Sequence, residues 1–151
     1  MVRDKNEEFI EKAIASRGWA VNLIPAGDSN NEPAFAYTTG LYKSFWQAEL
    51  ICFGLRHEVM HGMLNICGDR MKTGEKLPVG VPLIGVIEGY PVFLREVLAR
   101  NSYDEHVGYS NWFYRGRDFP LMQVVWPDKH GRFPGDPGIG PSMAHQQPLL
   151  P

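Results

Sequence analysis

The chain has 151 residues, of which 44% are hydrophobic and 21% are charged, a composition typical of one globular domain with one core. The formal net charge is −2 and the lysines and arginines are scattered along the chain, so no basic stripe supports nucleic-acid binding. The apolar stretches are too short to cross a bilayer, and the charged N-terminal segment lacks the apolar centre of a signal peptide, so we expect a cytoplasmic protein with neither a membrane nor a nucleic-acid partner.

The first half of the chain predicts a helix, three strands and a second, longer helix. Asp4 and Glu7 form a capping pair and Gly18 is a natural helix end, so the first helix is predicted over residues 4–17. The three strands are predicted at 19–25, 34–41 and 49–55. The connections have the composition of a loop and of a turn or single helical turn, at 26–33 and 42–48. The longer helix is predicted over 56–73.

The second half predicts a hairpin, a helix and a last strand. The three strands are predicted at 83–88, 90–97 and 119–126. A tight turn at Glu88 and Gly89 joins the first two. Ser102 and Glu105 make another capping pair, which predicts the start of a helix that continues through the aromatic residues up to position 115.

The strands come in adjacent groups instead of alternating with helices, which favours an α+β fold. We predict a single domain over 1–151 with a mostly antiparallel sheet, an N-terminal helix within 1–17 and two to three flanking helices in all. A partly closed, barrel-like sheet is the alternative. Residues 132–151 contain too many prolines and glycines for regular structure. They predict an irregular C-terminal tail that caps the core through Phe133 and Leu149.

The two cysteines, Cys52 and Cys67, lie in apolar surroundings, one in a predicted strand and one in a predicted helix. A reducing compartment disfavours disulfides. We therefore predict two buried free thiols.

Residues 57–61, HEVMH, have the spacing of a zinc-protease helix. His57 and His61 would share one helix face, and Glu58 could act as a general base. The motif falls in the first helical turn, however, and its extended form fails because Leu64 stands where glycine is needed. A zinc site also needs a further ligand, which the sequence does not single out. We favour a solvated helix face and keep a zinc-dependent hydrolase as the alternative.

Residues 126–128, WPD, resemble the acid loop of tyrosine phosphatases. That chemistry also needs a cysteine followed six residues later by an arginine. Thr73 stands six residues after Cys67, and Glu58 six residues after Cys52. The segment is therefore interpreted as a strand end followed by a turn.

Aromatic and arginine side chains are combined in the predicted helix that ends at 115. Trp112, Phe113 and Tyr114 lie beside Arg115 and Arg117, and such residues provide contact area, stacking and forked hydrogen bonds in recognition surfaces. The alternative, which we favour for Trp112 and Phe113, is burial in the core with Arg115 extended along the surface.

Polar residues also end the second predicted strand, where Tyr37, Thr38 and Thr39 precede Gly40. They are candidate ligand contacts, although ordinary strand and turn residues have the same pattern. The predicted binding residues are Tyr37, Thr39, Trp112, Tyr114 and Arg115.

Several stretches together resemble the bacterial family described as domain of unknown function 4262. They are PAFAYTTGLYKSFWQAELICFGL, EVMHGMLN, GYPV, NWFYRGRDFPLMQVVWPDKHGRFPGDPG and QPLL. The resemblance extends from about Gly18 to the end of the chain and departs at Gly135, where the family tends to have tryptophan. It implies a small bacterial, cytosolic protein without an assigned activity, and it does not require the two histidines.

The leading hypothesis is a binding domain without hydrolytic activity, for a small molecule or a protein. Its site would lie at the ends of strands 34–41 and 119–126 together with the aromatic helix. The zinc hydrolase is the second hypothesis. A third, by analogy of strand and helix order alone, is a flavin-binding split barrel. The sequence identifies neither a cofactor nor a partner, and it leaves open whether the protein is an enzyme.

Overall fold

The computed structural model describes residues 4–27 and 32–151, which form six strands and six helices. The strands are β1 (Ala20–Ile24), β2 (Phe35–Thr39), β3 (Glu49–Phe53), β4 (Leu83–Ile87), β5 (Tyr90–Val97) and β6 (Leu121–Val125). The helices are α1 (Lys5–Arg17), α2 (Leu41–Phe45), α3 (His57–Lys72), α4 (Arg100–His106), α5 (Gly108–Phe113) and α6 (Pro141–Gln146).

The six strands form one sheet in the order β1-β2-β3-β6-β5-β4. All neighbouring strands are antiparallel except β3 and β6, which are parallel. The α+β fold with a mostly antiparallel sheet is therefore confirmed. The sheet is open, with β1 and β4 as its two edges, so the barrel-like alternative is wrong.

Helices cover both faces of this sheet. The long helix α3 packs on one face through Met60, Leu64 and Cys67, which join the larger apolar cluster. The other face carries Tyr37, Ile51 and Leu121 beneath α4 and α5. Both cysteines are free and buried, as predicted, and burial raises the pKa of the Cys67 thiol to about 12.

The N-terminal helix begins and ends as its sequence predicts. The Asp4 side chain accepts a hydrogen bond from the backbone N–H of Asn6, and Gly18 ends the helix with a φ of 108°. The predicted loop at 26–33 lies partly outside the described residues.

The predicted aromatic helix is two helices instead of one, because the backbone turns at Val107 (φ −113°, ψ 53°) between α4 and α5. The capping pair at Ser102 and Glu105 was wrong. Ala99 is the N-cap of α4, and the Ser102 hydroxyl lies within the helix, where it donates to the oxygen of Pro151.

The tail contains a helix that its proline and glycine content obscured, since α6 begins with Pro141, a residue favoured in the first turn. Leu150 rather than Leu149 is buried against the sheet. Buried glutamines dock the tail there, because Gln123 bonds the backbone at 148 and 150 and Gln147 bonds the backbone of Trp126.

No helix formed by residues 4–27 and 32–151 is long and apolar enough to span a membrane.

Candidate functional site

A fully buried carboxylate lies where β2, α2 and β3 meet. Glu49 begins β3, and its side chain is 0% exposed. Its two oxygens accept backbone N–H groups from Gly40 (2.9 Å), Leu41 (3.1 Å) and Tyr42 (3.2 Å). These are orphan donors at the start of α2, which has no capping side chain of its own. Glu49 therefore caps α2 from a neighbouring strand.

Two hydroxyl groups complete the shell around this carboxylate. Thr38 Oγ1 donates to it over 2.8 Å, and the Tyr114 hydroxyl from the end of α5 also donates to it. The Tyr114 oxygen in turn accepts the backbone N–H of Lys43. One carboxylate thus connects β2, α2, β3 and α5.

Burial raises the pKa of Glu49, and the hydrogen bonds from Tyr114, Thr38 and the backbone of Gly40 and Tyr42 act in the opposite direction. Burial and the neighbouring Glu49 also raise the pKa of Tyr114. The Tyr114 hydroxyl therefore keeps its proton and remains a donor.

A second set of polar contacts fixes α5 to β2. The hydroxyl groups of Thr39 and Ser110 lie 2.7 Å apart, and Ser110 donates to the Thr38 carbonyl. The Tyr37 hydroxyl accepts the backbone N–H of Tyr109, and burial raises the pKa of Tyr37 to about 12. These bonds fix the position of α5 relative to β2.

Above this support, aromatic rings of α2 and α5 form a continuous surface. The α2–α5 surface, as we name it, consists of Tyr42, Lys43, Trp46, Trp112, Phe113, Tyr114 and Arg115. Its rings are linked pairwise, from Trp46 to Tyr42 (5.4 Å between centroids), on to Tyr114 (5.9 Å), Phe113 (5.1 Å) and Trp112 (6.3 Å). These four links make one aromatic path between the two helices.

Two residues of this surface have left-handed backbone conformations. Trp46 (φ 58°) and Arg115 (φ 55°) are the only non-glycine residues with positive φ among the described residues. Each follows the last turn of a short helix, and Arg115 closes α5 through its N–H to the Trp112 carbonyl, with Gly116 bonding Asn111. Glycine is the usual residue at such a helix end. Trp46 is nevertheless 79% exposed, so burial does not explain its presence.

Cationic groups border the α2–α5 surface. The Lys43 ammonium lies 5.7 Å from the Phe113 ring centre, and Arg115 is exposed. Beside Arg115, a groove of about 370 Å³ separates α5 from Glu7 and Glu11 of α1. The arrangement offers stacking, apolar contact and forked hydrogen bonds, which are means of recognition.

The five residues predicted to bind a ligand fall into two layers of this region. Arg115 is exposed and Trp112 is half-buried, so both are accessible from solvent. Tyr37 and Thr39 are buried, and Tyr114 is half-buried between the surface and Glu49. The predicted site also includes the ends of strands 34–41 and 119–126. The end of β2 supports the α2–α5 surface from below. Trp126, which follows β6, instead donates its indole N–H to the Phe53 carbonyl in the core.

Sequence reasoning missed Glu49, Tyr42 and Trp46. Glu49 is the one charged residue in an otherwise apolar strand, and that position was the available signal. Tyr42 and Trp46 lie in the segment predicted as a turn or single helical turn, where Tyr42 belongs to α2 and Trp46 is the residue that ends it. Their packing against Tyr114 depends on contacts distant in sequence.

The HEVMH residues lie at the start of α3, away from these contacts. The His57 ring nitrogen Nε2 lies 2.9 Å from the Ile24 carbonyl oxygen, and Glu58 is exposed next to Arg56 (3.7 Å). No group of three or more His, Cys, Asp or Glu side chains in the described part of the chain could hold a metal ion together. His61 lines a groove with residues of α1 and β1.

The WPD segment ends in a turn, as interpreted. Asp128 accepts backbone N–H groups from His130 and Arg132 and pairs with the Arg132 guanidinium at 3.0 Å. Although burial opposes the effect, these bonds lower the pKa of Asp128. An acid catalyst needs the opposite shift.

The family model described as "Domain of unknown function (DUF4262)" matches residues 13–140. This stretch is most of the chain and includes Glu49, α2 and α5, so the chain belongs to this family and the resemblance seen in its sequence is confirmed. No curated protein and no solved structure gives a significant match.

Proposed function

We propose that this protein is a binding domain without hydrolytic activity that recognises a protein partner through its α2–α5 surface. The observation that carries the proposal is the conformation of Trp46 and Arg115. A left-handed conformation costs a non-glycine residue about 1 kcal/mol or more. Contacts that the Trp46 and Arg115 side chains make in a complex would explain why glycine does not occupy these two positions.

The chemistry of the surface suits a protein partner better than a small molecule. Tryptophan, tyrosine and arginine are the residues that dominate binding energy in protein interfaces. Small-molecule sites are concave and enclose most of their ligand, whereas Trp46 projects into solvent at 79% exposure. A flat or concave patch on a partner would cover it.

The buried network beneath the surface supports this function by fixing the positions of its side chains. Glu49 bonds both α2 and α5, and the Thr39–Ser110 contact holds α5 on the sheet. A surface fixed before binding loses less conformational entropy when the complex forms.

Hydrolysis receives no comparable support. Glu58, the general base of the zinc alternative, is exposed, whereas a catalytic carboxylate usually lies in a cleft. The flavin alternative rests on an analogy with a split barrel. The sheet is open, so the structure adds no support to that analogy.

Partner capture followed by a measurement on purified components tests the proposal. Proteins retained by the immobilised chain would be produced separately and titrated against wild type, Trp46→Ala and Ile84→Ala. Ile84 is a matched control, since it is 77% exposed but lies on β4. We expect affinity to fall at least tenfold with Trp46→Ala and to stay unchanged with Ile84→Ala. Equal affinity of all three for every captured protein would refute the proposed surface.

A further inference from the structure

The two edges of the sheet differ in how well a further strand could pair with them. At β4 the pairing with β5 shifts register between Leu83 and Ile87, and Gly85 within it has a φ of 89°. Bulges of this kind protect an edge from further pairing. At β1 all five residues pair with β2 without interruption, and the strand AVNLI carries no charge. The β1 edge therefore lacks that protection.

The hydrogen-bond pattern identifies which β1 groups face outwards. The Gly54 N–H donates to the Ala34 carbonyl, in register with the β2–β3 pairs. Because antiparallel pairs alternate, even-numbered residues of β2 bond β3 and odd-numbered residues bond β1. The β1 partners of those odd-numbered residues are 20, 22 and 24. The N–H and C=O groups of Val21 and Leu23 consequently face away from the sheet.

An open groove of about 480 Å³ runs along this edge between α1 and α3. Its lining includes residues 21–24 of β1, with Phe9 of α1 and His61 of α3 at its walls. Phe9 is 60% exposed and Leu23 41% exposed. Apolar side chains thus line the same groove as the outward backbone groups of Val21 and Leu23, to which none of the residues 4–27 and 32–151 donates or accepts a hydrogen bond.

We propose that β1 pairs antiparallel with β1 of a second copy of this chain, joining two sheets into one. A two-fold axis at Asn22 places Val21 opposite Leu23 of the partner subunit, and the reverse. Both residues present outward N–H and C=O groups, so the two pairs close with four hydrogen bonds. The absence of charge in β1 means that the symmetric pairing opposes no like charges. This self-complementarity is what a two-fold interface requires, and it favours a second copy over an unrelated strand.

The proposal does not depend on the α2–α5 surface, which is built from other elements. Sedimentation and light scattering of the full chain from micromolar to submillimolar concentration would measure its mass. We expect twice the mass of one chain at the upper end. Leu23→Pro should give a monomer, because it removes an outward N–H that bonds no other residue in the described part of the chain.

Leu23→Lys provides a second test, since its exposed side chain leaves every hydrogen bond of the fold intact and places a charge on each side of the two-fold axis. It should also be monomeric, with wild-type circular dichroism. Ile84→Ala on the opposite edge should remain dimeric. A wild-type monomer at every concentration overturns the proposal and leaves the edge to a strand from another protein. A dimer that persists with Leu23→Lys overturns it equally.

Discussion

The α2–α5 surface and the HEVMH face of α3 illustrate opposite relations between sequence and structure. HEVMH is conspicuous in the sequence, yet Glu58 is exposed and the His57 ring contacts a backbone carbonyl, that of Ile24. Glu49 is inconspicuous, yet five donors from three elements surround it. The spacing of residues within one helix suggests a metal site but does not establish one. Hydrogen bonds from several elements to one side chain show that the fold depends on that side chain.

The largest expected effect separates these two carboxylates. Glu49→Ala should lower the free energy of unfolding by about 3–5 kcal/mol, because it removes the acceptor of five donors, three of them buried and two half-buried. Glu49→Gln should lower it by about 2–4 kcal/mol, because the amide NH₂ would face a backbone N–H in either orientation, that of Leu41 or those of Gly40 and Tyr42. Urea denaturation measures both changes.

Glu58→Ala is the control for these variants. It removes an exposed ion pair with Arg56 and an exposed acidic side chain from the first turn of α3, so its effect should stay within about 0.5 kcal/mol. If the Glu49 and Glu58 variants were equally stable, the buried carboxylate would not be the constraint that we infer.

Alkaline pH should weaken the support of the α2–α5 surface next. Tyr37 has a pKa raised from 10.0 to about 12 by burial. A raised pKa in the folded state means that the stabilisation is complete below pH 10 and is lost as the pH rises through about 12. The loss for this one group is on the order of 2 kcal/mol.

Thermal unfolding of wild type and Tyr37→Phe from neutral to alkaline pH would measure this loss. The variant lacks the acceptor for the Tyr109 N–H and should be less stable at neutral pH by about 1 kcal/mol. Its decline at alkaline pH should be smaller than that of wild type. Parallel declines would show that Tyr37 does not contribute to the pH dependence.

The sequence predicted the sheet better than the support of the surface, for a physical reason. Hydrophobic periodicity located all six strands, because the burial of a strand determines which of its consecutive residues are apolar. Their order did not follow, since the parallel pairing of β3 with β6 joins segments far apart in the chain. The break at Val107 and the αL residue Arg115 depend on where α5 is held by β2. The role of Glu49 likewise depends on groups from α2 and α5, and no local pattern records it.

Backbone strain provides a smaller, opposite effect. Arg115→Gly should raise the free energy of unfolding by up to about 1 kcal/mol, because glycine adopts the left-handed conformation without penalty. Arg115→Ala keeps the strain and should bring no such gain. Both variants should weaken binding of a partner, since both remove the guanidinium. A loss of stability with Arg115→Gly would contradict the view that this position is retained for binding at a cost in stability.

The smallest expected effects belong to the HEVMH face, and they test whether it is a solvated surface or a metal site. His57→Ala should lower the free energy of unfolding by about 1 kcal/mol, because it removes the ring N–H that donates to the Ile24 carbonyl. His61→Ala should change it by less than about 0.5 kcal/mol. Elemental analysis of untagged protein, purified without chelator, should find no stoichiometric zinc in wild type or in either variant. Zinc near one equivalent that disappears with His57→Ala would contradict this prediction. The HEVMH face would then be a metal site, and a residue outside α3 would have to provide its further ligand.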